Sequence, residues 1–121
     1  MFTLCWAAKG GSGTTVVATG LALALTATPR AGAARPPGCL LVDLGGDAPF
    51  ALGIPEPSGP GVVDWLATDA ESARLAHLEV GVTASVHLLP RGGTPVRAVP
   101  GTPAPAARWQ SLGRYLQSQS A

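Results

Sequence analysis

Of the 8 basic side chains in this chain, Lys9 is the one lysine; the rest are arginines. It heads the run Lys9-Gly10-Gly11-Ser12-Gly13-Thr14-Thr15. Glycines let a backbone take positive φ and approach a ligand closely. Successive N–H groups then point into one concavity that holds an anion. A helix opening at that point adds its unpaired N–H groups and the positive end of its dipole. Thr15, in the first helical turn, offers a hydroxyl suited to magnesium. The chemistry this pattern supports is the binding of a nucleotide's phosphates. A second chemical group, Asp43, closes the run Cys39-Leu40-Leu41-Val42-Asp43.

These residues need a scaffold, and the flanking sequence supplies one. Phe2 to Ala7 is a short apolar run that reads as a buried strand. Thr14 to Thr28 reads as a helix apolar nearly all round, expected to be buried against a sheet. Pro29 to Gly38 is a loop, and Cys39 to Asp43 a second buried strand. Strand, glycine loop, helix, loop and strand make a βαβ unit, which predicts a parallel α/β sheet with a right-handed crossover. Ligands in such sheets sit at the carboxyl ends of the strands. The glycine loop and Asp43 both fall there.

Beyond Asp43 the pattern is shorter-ranged. Asp47 to Gly61 is a proline-rich loop around a helical turn at Phe50-Ala51-Leu52. Val62 to Ala67, with Trp65 buried, and Glu71 to His77 read as short helices, and Val86 to Leu89 as a third strand stopped by Pro90-Arg91-Gly92-Gly93. Residues 1–93 form the main unit, 94–105 a Pro-rich linker, and 106–121 an amphipathic helix of the same domain. On that helix Trp109, Leu112 and Leu116 share a face, with Arg108, Ser111 and Arg114 turned away.

Composition narrows the function classes. The 121 residues are 46 % hydrophobic and 12 % charged, with net charge +1. No basic stripe signals direct nucleic-acid binding. Cys5 and Cys39 lack metal-site spacing and read as buried reduced thiols of a cytoplasmic protein. His77 and His87 are isolated. The apolar stretch after Lys9 is too short to span a bilayer, which takes about 20 residues. Read as a signal peptide, it conflicts with the apolar Phe2–Ala8 preceding the charge.

The stretch Lys9 to Thr15 resembles the deviant Walker A motif of the ParA/MinD family of P-loop ATPases, written Lys-Gly-Gly-x-Gly-Lys-Thr/Ser. The run Val42-Asp43-Leu44-Gly45-Gly46-Asp47, with Leu52-Gly53 after it, is similar to that family's second-strand motif. The resemblance is nearest to divergent MinD-like, septum-site-determining members. It implies a P-loop NTPase-like three-layer sandwich, here incomplete, as the N-terminal part of a longer protein. It implies ATP and Mg²⁺ as ligands, held by Lys9, Gly10, Gly11, Ser12, Gly13, Thr14 and Thr15. Thr15 and Asp43 match the magnesium shell, and Lys9 and Asp43 the catalytic positions, Lys9 reaching a partner's nucleotide across a dimer. The implied role is a nucleotide-dependent homodimeric switch in chromosome partitioning, septum placement or polar localisation, working with a protein partner that the sequence does not identify.

Two positions depart from that pattern. Thr14 stands where the family places its second lysine, and Gly45 where it places the carboxylate that orients water. A hydroxyl supplies no charge to the transition state, and losing one such contact costs on the order of 10²–10³ in rate. No later apolar strand ends in Asp, since Val86–Leu89 runs into Pro90. The other reading is therefore a pseudo-ATPase scaffold that has lost hydrolysis and acts through protein contacts.

Overall fold

The computed structural model describes residues 2–6, 13–27, 29, 31–32, 37–93 and 105–119. Its elements are α1 (Thr14–Leu25), β1 (Cys39–Val42), α2 (Ala48–Leu52), α3 (Val62–Leu66), a 3₁₀ helix (Ser72–Leu78), β2 (Val80–Gly81), β3 (Val86–Leu89) and α4 (Ala106–Ser118). The chain is of the mixed α/β class. The apolar runs at β1 and β3 pair in parallel, Cys39 opposite Val86 through Val42 opposite Leu89. The Asp43 N–H extends the ladder to the Leu89 carbonyl at 3.0 Å.

The sheet is mixed rather than wholly parallel. β2 pairs antiparallel with β3, placing Val80 opposite Leu88 and Gly81 opposite His87. The Thr83 hydroxyl oxygen fixes the turn between them by accepting from the Ser85 and Val86 N–H groups at 3.2 and 3.0 Å. The strand order β1-β3-β2 makes β3 the centre.

This arrangement corrects the expected first strand. Phe2 to Trp6 is irregular, and Phe2, Leu4 and Trp6 are exposed. The sheet is β1-β3-β2, and Phe2–Trp6 pairs with none of its strands.

The main core lies under α3, the 3₁₀ helix and α4. Val62, Trp65, Leu66, Leu75, Leu89, Leu112 and Tyr115 form one buried cluster, with Leu40 and Val42 packed against it. Successive strand residues face opposite sides, so Val86 and Leu88, also fully buried, point away from Leu89. Glu71 to His77, expected as a helix, is a 3₁₀ segment displaced by one residue.

α1 packs on β1 and α2 but is not buried on all sides. Its inward face carries Thr19, Ala22 and Thr26, while Val16, Val17, Leu21, Leu23 and Leu25 are exposed. The buried hydroxyls are satisfied by their own helix: Thr19 donates to the Thr15 carbonyl and Thr26 to the Ala22 carbonyl, both at 2.8 Å. Small, self-bonded side chains let the helix sit close, and uniform apolarity gave no signal of which face that is.

Of the expected inward face of α4, Leu112 and Leu116 pack on the core and Trp109 does not. Leu112 and Tyr115 are buried and Arg108 turns inward, while Trp109 is exposed. The inward turn of Arg108 follows from its stacking on Trp65, described below.

Candidate functional site

The residues that end the two parallel strands meet at one end of the sheet. Asp43 follows β1 and Pro90-Arg91-Gly92-Gly93 follows β3, and together with Gly46, Asp47 and Glu56 they line a cleft of about 490 Å³. That volume lies within the range of small-molecule sites.

Asp43 is only 7 % exposed. Its Oδ1 accepts from the Gly46 N–H at 2.8 Å and the Gly45 N–H at 3.2 Å, and its Oδ2 accepts from the Ala48 N–H at 3.1 Å. The carboxylate thus shapes the loop from β1 into α2. A carboxylate offers about four acceptor positions, two on each oxygen. The three loop N–H groups take three of these positions.

The other wall is fixed through α3. The Pro90 and Arg91 carbonyls accept from the Val62 and Val63 N–H groups at 2.8 and 3.0 Å. The Asp64 Oδ2 accepts from the Gly61 N–H at 2.7 Å, one half of a capping box. A side chain on Gly61 would meet the backbone of Pro90, Arg91 and Gly92. Gly92 has φ +95° and Gly46 φ +94°, a left-handed region that glycine enters without penalty.

Arg91 is half-buried beside this wall. A Cβ on Gly46 would stand 3.2 Å from the Arg91 Cδ, so the arginine stem lies on the Gly46 backbone. Its Nη1 donates to the Gly92 carbonyl at 3.4 Å. Sequence reasoning took Pro90–Gly93 as a strand stop and missed Arg91 as a lining residue. The available signal was the position of the loop at the carboxyl end of a parallel strand.

Of the expected phosphate loop, Lys9, Gly10, Gly11 and Ser12 lie outside the described residues. Gly13 is the N-cap of α1 in the left-handed conformation, φ +82°, with no side-chain cap bond and no acidic residue in the first turn. Thr14 and Thr15 are half-buried at the head of that helix. None of Gly13, Thr14 or Thr15 is among the walls of the cleft. Among the described residues no three His, Cys, Asp or Glu side chains converge as a ready metal cluster.

Cys5 and Cys39 are free and half-buried rather than fully buried. Burial raises the Cys39 thiol above its ordinary value, which makes it a poor nucleophile. Among the described residues no helix is long and apolar enough to cross a membrane. No protein family, curated protein or solved structure matches the chain.

Proposed function

We propose that the chain is a nucleotide-binding switch resembling the ParA/MinD ATPases. It would bind Mg-ATP at Lys9–Thr15 and form a dimer that acts in chromosome partitioning, septum placement or polar localisation. One observation carries this reading beyond the motif. α1, which begins where the glycine run ends, packs against β1 and α2, the two elements that flank Asp43. The helix that opens with Gly13-Thr14-Thr15 and the carboxylate at the strand end therefore belong to adjoining elements, as phosphate chemistry requires.

In this reading the N–H groups at the head of α1 hold a phosphate, and Lys9 contacts the partner's nucleotide. Thr15 and Asp43 would hold the magnesium ion. Bound magnesium neutralises phosphate charge. Thr14 in place of a lysine makes the switch slow or inert in hydrolysis. A cytoplasmic setting agrees with two free thiols. Sedimentation of the full chain with and without Mg-ATP tests the proposal. A nucleotide-dependent dimer that Lys9→Ala abolishes supports it, and a dimer that persists in Lys9→Ala contradicts it.

The pseudo-ATPase scaffold is the second reading. It is favoured by the bulky apolar residues that α1 and Phe2–Trp6 present outward, surface that a protein partner would cover. It requires that the folded protein hydrolyse no nucleotide, and that restoring a lysine with Thr14→Lys leave the cellular phenotype unchanged.

A further inference from the structure

We propose that Arg91, just past the end of β3, is a phosphate contact of the cleft. The ligand's identity as a phosphate rests on the nucleotide reading above. The placement of Arg91 does not.

The backbone of Arg91 is held firmly. Its carbonyl and that of Pro90 are both tied to the start of α3. Its stem rests on Gly46, a residue whose N–H is itself bound by Asp43. The head group is less committed: among the described residues its one hydrogen bond is the 3.4 Å contact to its neighbour's carbonyl. A guanidinium carries five N–H donors in a planar fork that matches two oxygens of a phosphate. An arginine used only structurally would spend that fork on carbonyls, as Arg108 does at 2.7 and 3.0 Å.

The carboxylates of the cleft shape what it accepts. Asp43, Asp47 and Glu56 line it with Arg91. A bare anion would be repelled by two exposed carboxylates, whereas a phosphate accompanied by magnesium meets both signs of charge. The ligand class is therefore a magnesium-bound phosphate or polyphosphate, and Arg91 binds its free oxygens. Arg91 immediately follows the proline that ends β3, where a catalytic Asp is absent.

The test is calorimetric titration of the full chain with Mg-ATP and with magnesium pyrophosphate, comparing wild type, Arg91→Gln, Arg91→Lys and Lys9→Ala. Circular dichroism of each variant establishes that it is folded. Loss of a charge-assisted contact weakens binding on the order of tenfold to a hundredfold in Arg91→Gln. Arg91→Lys keeps the charge without the fork and falls between. Unchanged affinity in folded Arg91→Gln overturns the inference and leaves the nucleotide reading intact. Binding that depends on Arg91 but not on Lys9 supports the inference and removes Lys9 from the site. No binding of either probe by wild type overturns it outright.

Discussion

The guanidinium carbon of Arg108 lies 3.7 Å from the centre of the Trp65 ring, joining α4 to α3 across a gap of more than forty residues in sequence. The same guanidinium donates to the Trp65 carbonyl at 2.7 Å and to the Ala70 carbonyl at 3.0 Å, while the indole N–H donates to the Glu71 carbonyl at 3.0 Å. The last turn of α3 and the segment leading to the 3₁₀ helix are thereby fastened to one side chain of α4.

Arg108→Ala removes a cation–π contact and two charge-assisted hydrogen bonds, taking the guanidinium donor from the Ala70 carbonyl while the Trp65 carbonyl keeps its bonds from Thr68. We expect a loss of about 2–4 kcal/mol, read as a lower midpoint in urea unfolding. Arg108→Lys recovers only part of it, because an ammonium cannot both stack and fork.

Tyr115 gives a pH signature. Its hydroxyl donates to Glu79 Oε2 at 3.1 Å, and burial first, then that bond and the carboxylate's charge, push its pKa up to about 12. The folded state thus holds the proton where the unfolded chain, near pH 10, releases it. Stability from this group is complete below about pH 10 and is lost as pH rises toward about 12. Tyr115 is the chain's single tyrosine, so tyrosinate absorbance reports it directly. Glu79→Gln should move the titration down in pH while burial keeps it above the ordinary value.

Gly61 has no room for a side chain. A Cβ there meets backbone atoms of Pro90, Arg91 and Gly92, none of which moves alone. Gly61→Ala should cost about 3 kcal/mol or more and detach α3 from the end of β3. Gly20, whose Cβ position is open, provides the contrast: Gly20→Ala should stabilise α1 by about 0.5–1 kcal/mol. Thermal unfolding of the two variants distinguishes them.

Asp43→Asn places a donor among three backbone N–H groups that now share a carboxylate. We expect a loss of about 1–3 kcal/mol, with faster amide exchange at Gly46 and Ala48.

These expectations mark where the sequence was informative. β1, β3, α3 and the carboxylate at the end of β1 were legible because apolar runs bounded by Gly and Pro leave few alternatives. Phe2–Trp6 carried the same signal, yet an apolar run does not by itself specify a pairing partner, and β2 at Val80–Gly81 is too short to be seen as a strand. On α4 the inward Leu112 and Leu116 were legible, but Arg108 was not, because an arginine counts as polar in any periodicity although its guanidinium can stack on a buried indole. In α1 the apolar pattern has no preferred side, and the threonines that face inward hide their hydroxyls on their own helix. At the site, Asp43 was named from its position, whereas Arg91 and the fit of Gly46 beneath it depend on two loops far apart in sequence.

The central claim is that this chain binds a nucleotide through the Lys9–Thr15 loop. Calorimetric titration of the folded full chain with ATP, in the presence and absence of magnesium and beside Lys9→Ala, tests it most directly. The account expects saturable, magnesium-dependent binding that Lys9→Ala reduces on the order of tenfold or more. Absence of heat from a folded protein at millimolar Mg-ATP would contradict it.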